Sequence, residues 1–231
     1  PVGHLLTTTA APDAIVFDLD GTLIDSVPEV AAALNHVLAD FGRRQLSVNE
    51  TLGMVGEGAV ATLEHAFIAT GAALDDGQIP KIMATYLAAY KDARGANTII
   101  YPGVRPVLEQ LRSAGVAMSI CTNKPAATTT TTLEGLGLLE FFPRIVCPDD
   151  TLYRKPDGRH VLDCLDLDGK HSARAVLVGD SETDMAAARD AGIGFIAVSY
   201  GYSHVPIEDL HADVVIDHFL DLLAALQELY S

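Results

Sequence analysis

The chain has 231 residues, of which 49% are hydrophobic, so it is long enough to bury a sizeable core. Its formal net charge of −16 argues against nucleic acid or an anionic membrane surface as a partner, because both repel an acidic protein. The three cysteines form no paired framework, which indicates a reducing compartment, and we therefore expect a cytoplasmic protein.

The start of the sequence and its apolar runs bear on the same expectation. No apolar run is long enough to span a bilayer. The first residues, PVGHLLTTTAAP, lack the basic and apolar regions of a signal peptide, so we interpret them as a loose N-terminal arm.

The first regular element is a buried strand, followed by a long helical stretch. A short β-branched run predicts the strand over Ala14–Asp18. The helical stretch is predicted as Val27–Phe41, a short helix capped by Ser47 and Glu50, Ala59–Thr70 and Gln78–Arg94. Residues 26–96 therefore form an all-helical insert without a strand of its own. They divide the rest of the chain into residues 12–25 and 97–231.

From residue 99 the pattern alternates between strands and helices. The predicted strands are Val116–Cys121, Arg144–Cys147, Ala173–Val178, Gly194–Val198 and Val214–Ile216. The predicted helices are Gly103–Ala114, Pro125–Leu136, Gly158–Leu167, Thr183–Ala191 and Asp217–Leu229. Such alternation predicts an α/β fold, a Rossmann-like parallel sheet with helices on both faces. In sheets of this kind, ligands bind at the carboxyl ends of the strands.

The end of the first strand carries two carboxylates, Asp18 and Asp20. In an extended chain, residues two apart point the same way, so the two acids repel each other. A fold tolerates this arrangement when a cation lies between them or when one of them holds a proton. The alternative is that both are simply solvated.

Polar residues follow the later strands as well. Thr122, Asn123 and Lys124 come after one strand, and Lys155-Pro156 lies in a loop after the next. The sequence Gly179-Asp-Ser-Glu-Thr-Asp184 follows a third strand. Together these ends offer a nucleophile, hydroxyl and amide donors, a cation and metal ligands, which is the set that phosphoryl transfer needs.

The string DLDGTLIDS, which begins at Asp18, resembles motif I of the haloacid dehalogenase superfamily of phosphotransferases. The resemblance implies that Asp18 is a nucleophile that forms an aspartyl phosphate. It also implies that Asp20 is the general acid and base, and that Mg²⁺ lies between the two. Thr122 and Asn123 resemble motif II, whose hydroxyl and amide groups bind phosphoryl oxygens.

Two further motifs of that superfamily are matched in order. Lys155-Pro156 resembles motif III, whose ammonium pairs with the nucleophile and the transferred charge. The segment Gly179–Asp184 resembles motif IV and implies Asp180 as the third Mg²⁺ ligand. Its Asp184 is either a helix-dipole complement or a contact to the lysine or a metal-bound water, with Ser181 beside it. We favour the contact.

The helical insert resembles the cap of the subfamily that includes phosphoglycolate phosphatase and β-phosphoglucomutase. Gly56-Glu57-Gly58 is the candidate substrate loop, with a plain turn between helices as the alternative. Glu57 departs from the pattern, because an acid stands where an uncharged side chain is expected. It would oppose a substrate carboxylate.

The resemblance implies a Mg²⁺-dependent phosphatase that hydrolyses small, phosphoglycolate-like phosphate monoesters. A β-phosphoglucomutase-like phosphomutase, or a phosphatase for a sugar phosphate or pyrophosphate, shares every core motif and stays open. A catalytically silent binding module is disfavoured by the intact motif residues. The expected partner is a small phosphorylated metabolite, and the protein is expected as a monomer or homodimer.

Overall fold

The computed structural model describes residues 12–93, 95–165 and 174–230. The predicted N-terminal arm up to residue 11 lies outside the described residues. So do three predicted ends: the end of one helix at Arg94, the end of another at Leu167, and the start of a strand at Ala173.

A six-stranded parallel sheet forms the centre of the molecule. Its strands are β1 (Ala14–Phe17), β4 (Ala117–Cys121), β5 (Arg144–Val146), β6 (Ala175–Gly179), β7 (Gly194–Val198) and β8 (Val214–Ile216). The strand order is β5-β4-β1-β6-β7-β8, so β1 lies between β4 and β6. This arrangement confirms the predicted parallel α/β sheet and brings the ends of these three strands side by side.

Both faces of the sheet are buried. Along β1, Ile15 and Phe17 pack into one hydrophobic cluster and Val16 into another on the opposite face. Successive side chains of a strand alternate between faces, so a strand covered on both sides must be apolar throughout. The covering helices are α5 (Val104–Ser113), α6 (Ala126–Gly135), α7 (Gly158–Leu165), α8 (Glu182–Ala191) and α9 (Leu222–Tyr230).

The chain between β1 and β4 contains the helical segment, which we define as residues 27–93. Its helices are α1 (Val27–Asp40), α2 (Val48–Leu52), α3 (Ala59–Thr70) and α4 (Ile79–Ala93). The predicted capping box of Ser47 and Glu50 is present at α2. The segment has a hydrophobic cluster of its own, to which Tyr202 also contributes. Among the described helices, none combines the length and apolarity needed to cross a membrane.

Three local features differ from expectation or qualify it. A two-stranded antiparallel ribbon, β2 (Ile24–Asp25) with β3 (Ile99–Ile100), joins the two ends of the insert. The last predicted helix is instead a 3₁₀ turn followed by α9. Helix α6 forms despite its run of threonines, and the hydroxyls of Thr128 and Thr131 are satisfied by carbonyls three or four residues earlier.

Glu29, in the first turn of α1, fixes the second connection of the helical segment. Its side chain is fully buried and accepts hydrogen bonds from the amides of Gly95 (2.7 Å) and Asn97 (2.8 Å). A buried carboxylate is tolerated because both of its oxygens are bonded and because it lies at a helix N-terminus. The two connections to the sheet are therefore held against each other.

We expect Glu29→Ala to lower the free energy of unfolding by about 2–4 kcal/mol, since it removes a buried side chain and leaves the buried Gly95 amide and the Asn97 amide without their acceptor. Glu109→Ala is the control, because Glu109 is exposed on helix α5 and its loss should stay within about 0.5 kcal/mol. Chemical denaturation of the three proteins measures the difference. A Glu29→Ala protein as stable as the control would contradict this role.

Candidate active site

The carboxyl ends of β1, β4 and β6 open into a cavity, and the helical segment forms its opposite wall. Asp18, Asp20, Thr122, Lys155 and Asp180 all line it. The wall from the helical segment consists of Val30, Val55, Gly56, Gly58, Ala59, Thr62 and Tyr86. The structure thus brings together motif residues that are up to 162 positions apart in the sequence, from Asp18 to Asp180.

Lys155 lies between two carboxylates at the base of this cavity. Its Nζ is 2.5 Å from Oδ1 of Asp18 and 2.6 Å from Oδ1 of Asp184. Asp180 completes a cluster in which one oxygen from each of the three acids lies within 4.8 Å of the others. All four side chains are buried. One ammonium among three carboxylates leaves an excess of buried negative charge.

Backbone geometry holds Asp180 in this cluster. Its carboxylate accepts hydrogen bonds from the Thr22 hydroxyl (2.8 Å) and the Tyr202 amide (2.6 Å). Gly21 and Gly201 lie directly against it, so that a Cβ at either position would overlap the carboxylate. Gly21 also adopts a positive φ of 89°, which favours glycine.

Asp184 is held by the start of helix α8. Ser181 caps the helix, and its hydroxyl lies 2.6 Å from Oδ2 of Asp184. The amides of Asp180 (3.2 Å) and Ser181 (3.1 Å) donate to the same oxygen. The other oxygen of Asp184 is left for Lys155. The contact to the lysine that the sequence favoured is therefore present.

Burial and the charges of neighbouring groups shift the pKa values of the residues in this cluster. Burial raises the pKa of Asp18 well above its usual range, and the neighbouring Asp184 and Asp180 add to the rise while Lys155 opposes it. Burial, followed by the charge of Asp184, raises the pKa of Asp180 to about 7. Burial disfavours the ammonium of Lys155, but Asp18 and Asp184 outweigh it and leave its pKa above the ordinary value.

The cluster fits a divalent cation. Its donors are carboxylate oxygens, which hard cations such as Mg²⁺ prefer, and its net charge of about −2 would be neutralised by one such ion. Burial is the main cause of the raised pKa values of Asp18 and Asp180, the neighbouring carboxylates add to it, and a bound cation would act against both.

Asp20 lies apart from that cluster, although the sequence placed its carboxylate at the metal. Its two oxygens are each 3.1 Å from Nζ of Lys124, and the Ser26 hydroxyl donates to Oδ1 at 2.5 Å. The extended geometry that would aim Asp18 and Asp20 the same way ends with β1 at Phe17. The turn follows at residues 21–23, and the side chains of Asp18 and Asp20 have different partners.

Lys124, whose role the sequence left open, is a buried ammonium. Besides Asp20, its Nζ donates to the Tyr90 hydroxyl at 2.7 Å. Burial disfavours its charge, but Asp20 and the two phenols Tyr90 and Tyr86 outweigh that effect, and the pKa stays above the ordinary value.

Thr122 and Asn123 differ in what they can offer a phosphoryl group. The Thr122 oxygen accepts from the Lys124 amide (3.1 Å), which leaves its hydrogen free to donate into the cavity. Both ends of the Asn123 carboxamide instead hold the backbone of Lys155, at 3.0 and 3.1 Å. His160 adds a third contact, because its Nδ1 lies 3.1 Å from the Lys155 amide. Asn123 therefore positions the lysine loop in addition to lining the cavity.

The glycine-rich loop of the helical segment contacts the part of the chain that contains the six-stranded sheet, which we call the sheet domain. Gly56 accepts a long bond (3.4 Å) from Asn123, and a Cβ at Gly58 would lie 3.3 Å from the Asn123 carbonyl. Both glycines have positive φ. Glu57 is exposed and is not a wall residue of the cavity. The structure therefore does not bring Glu57 to the cavity, where the sequence expected it to contact the substrate.

Three residues of the site were not predicted from sequence: Tyr90, His160 and Tyr202. The buried contacts of Lys124 were not predicted either. Tyr90 and Tyr202 carry no local signal, because they reach the site through packing between distant segments. The signal available for Lys124 was its position after a strand, beside Thr122. That position does not distinguish a buried ammonium from a solvated one.

Comparison with known proteins agrees with this geometry. A sequence model of the haloacid dehalogenase-like hydrolases matches residues 15–198. A phosphoglycolate phosphatase from Caulobacter vibrioides is 40% identical over 208 residues, which cover 90% of this chain and 88% of that protein. Another from Agrobacterium fabrum is 35% identical over 223 residues, with 96% of both proteins covered.

Comparison with solved structures also finds similarity to a predicted phosphoglycolate phosphatase. The crystal structure of a predicted phosphoglycolate phosphatase from Haemophilus somnus superposes with a TM-score of 0.87. It is 27% identical and covers 95% of this chain and 99% of that one. The likeness therefore includes the helical segment as well as the sheet.

The raised pKa of Asp180 predicts how metal-free protein responds to pH. The folded state keeps the Asp180 proton up to about pH 7, whereas the unfolded chain loses it near the ordinary 3.8, so the folded state binds more protons between these values. The contribution of this proton to the free energy of unfolding is complete below that pH window. It is lost as pH rises through the window, and the whole loss is on the order of 4 kcal/mol.

Unfolding of wild type and Asp180→Asn in chelator, from about pH 4 to about pH 8, isolates this contribution, because the amide has no such proton to lose. The wild type should lose stability relative to the variant as pH rises. Added Mg²⁺ should stabilise the wild type more at about pH 8 than at about pH 5. A pH-independent difference between the two proteins would rule out the proposed protonation.

Proposed function

Since the chain belongs to the haloacid dehalogenase-like hydrolases, we propose that it hydrolyses phosphoglycolate or a closely similar small monoester through an aspartyl phosphate on Asp18. Within that family it is a phosphoric monoester hydrolase, like the relatives to which it is similar. The observation that carries the proposal is the separation of Asp18, bound by Lys155, from Asp20, bound by Lys124, in one cavity.

In the first step an oxygen of Asp18 attacks phosphorus, and the bond from phosphorus to the ester oxygen breaks. Asp20, which stands at a distinct place in the cavity, gives its proton to the departing alkoxide. The products of this step are a free alcohol, an aspartyl phosphate on Asp18 and an ionised Asp20. Lys155, next to Asp18, and the Thr122 hydroxyl stabilise the transferring charge.

In the second step water attacks the phosphorus of the aspartyl phosphate, and ionised Asp20 accepts a proton from that water. The bond between Asp18 and phosphorus breaks, which releases inorganic phosphate and restores both carboxyl groups. Lys124 contributes positive charge beside Asp20 in this state, since it stays protonated. The same pair of residues thus serves both halves of the reaction.

Asp18 and Asp180, with Asp184 beside them, would hold the divalent cation. When bound, the cation supplies positive charge next to the phosphoryl oxygens and offsets the excess negative charge of the cluster. This matters in an acidic chain, because the substrate is itself an anion.

The choice of substrate is supported by the relatives and by the covered cavity. Phosphoglycolate phosphatases are among the curated proteins that match nearly the whole chain. The helical segment covers the cavity with apolar residues and glycines such as Val55, Gly56 and Ala59, which suits a small leaving group. We also propose Mg²⁺ as the cation and a small phosphorylated metabolite as the partner.

A panel assay tests this function directly. Wild type with Mg²⁺ should release phosphate from phosphoglycolate with a higher kcat/KM than from sugar phosphates or pyrophosphate, without any bisphosphate activator. Asp18→Asn should fold and have no turnover, since an amide cannot attack phosphorus. Preference for a sugar phosphate, or dependence on a bisphosphate, would favour the alternatives. Steady turnover by pure Asp18→Asn would exclude the nucleophile.

Asp20 gives a separate prediction, because an alkoxide needs a proton to leave and an activated aryl oxide does not. Asp20→Asn should lower kcat/KM for phosphoglycolate by about 10²–10⁴-fold and for 4-nitrophenyl phosphate by much less. Because kcat/KM reports the steps up to aspartyl phosphate formation, it isolates the acid role. Equal losses for the two esters would remove that role.

A further inference from the structure

Tyr90 of the helical segment reaches into the catalytic arrangement through Lys124. Its hydroxyl lies 2.7 Å from Nζ of Lys124, which in turn lies 3.1 Å from both oxygens of Asp20. Lys124 Nζ also lies 4.4 Å from the centre of the Tyr90 ring. A continuous polar bridge therefore runs from helix α4, through the loop after β4, to Asp20, three residues beyond the end of β1.

The bridge is shielded from solvent and its members have few alternatives. The Lys124 side chain is 6% exposed, and Tyr90 as a whole is 1% exposed. The three donors of an ammonium are matched by Tyr90 and the two oxygens of Asp20. Within the described chain, nothing else is bonded to that ammonium. Lys124 is therefore bound to Asp20 and Tyr90 rather than presented to a phosphate group.

We propose that Tyr90 is a positioning residue, which holds Lys124 and through it the carboxyl group of Asp20 in line with the leaving group. The inference rests on the proposed function in that it takes Asp20 as the general acid. Its consequence is that the acid is correctly placed only while α4 lies against the sheet domain. The same contact of α4 therefore covers the cavity and places the carboxyl group of Asp20.

Tyr86 offers a matched control on the same helix, one turn earlier. Tyr86 lines the cavity and, like Tyr90, is buried, but within the described residues its hydroxyl makes no hydrogen bond. Tyr86→Phe and Tyr90→Phe each delete one phenolic oxygen from the same helix. Only the second deletion breaks the bridge to Asp20.

The experiment compares kcat/KM for phosphoglycolate and 4-nitrophenyl phosphate in wild type, Tyr90→Phe, Tyr86→Phe and Asp20→Asn. Tyr90→Phe should lower the phosphoglycolate value about tenfold and leave the aryl ester within about twofold. Tyr86→Phe should change the two esters alike. Equal losses for both esters in Tyr90→Phe, or no loss, would overturn the inference.

Lys124 supplies a second route if Tyr90→Phe folds poorly. Lys124→Met should show the same selective loss, and Lys124→Arg, which keeps a cation, should restore part of it. Equal behaviour of Lys124→Met and Lys124→Arg would also overturn the inference. If Asp20→Asn itself lowers both esters equally, the general-acid role fails and the inference falls with it. A selective loss in Asp20→Asn but not in Tyr90→Phe removes only the role of Tyr90.

Discussion

The contact of Lys155 with Asp18 and Asp184 is the interaction on which the rest of the site depends. Three carboxylates packed at the end of a buried sheet are unfavourable unless cations offset them, and the protein supplies one ammonium where more charge is needed. The surrounding structure keeps this arrangement in place. Asn123 and His160 fix the lysine backbone, and glycines next to Asp180 let the chain approach without a side chain in the way.

The second organising feature is the difference between Asp18 and Asp20. They are two residues apart, yet one belongs to the acidic cluster and the other is bound by Lys124 and Ser26. Different surroundings let chemically identical groups perform different tasks, which is what the proposed roles of nucleophile and proton donor require. The difference lies in the partners, because Asp20 is bound by Ser26 after the turn and by Lys124 after β4, whereas Asp18 is bound by Lys155.

Much of the fold and of the candidate site could be predicted from the sequence, because short local patterns identify the strands and the residues that follow them. The strands of the sheet are short apolar runs, and the fold rule that places ligands at their carboxyl ends selected Asp18, Thr122, Lys155 and Asp180. The ribbon of β2 and β3 could not be predicted in this way. Each of its strands has two residues, which is too few for a periodic pattern.

The orientation of side chains was the other part that the sequence could not provide. The resemblance implied a metal between Asp18 and Asp20, whereas the described cluster of acids contains Asp18, Asp180 and Asp184. Tyr90 reaches Lys124 from 34 residues away, through packing of α4 that no local pattern describes. The capping residues Ser181 and Asp184 lie close in sequence, so their pairing was accessible, whereas the lysine that Asp184 also binds is 29 residues distant.

The ribbon has a consequence for how such an enzyme can change. Because Ile24 pairs with Ile100, the chain leaves the sheet domain and re-enters it at neighbouring points, about 5 Å apart. Everything between those points is a module with adjacent ends, and its hydrophobic cluster is largely its own. The module can vary in length and composition without altering the strands that hold the reacting carboxylates. Substrate preference can therefore change through the module while the strands stay the same, provided that a residue of α4 still reaches Lys124.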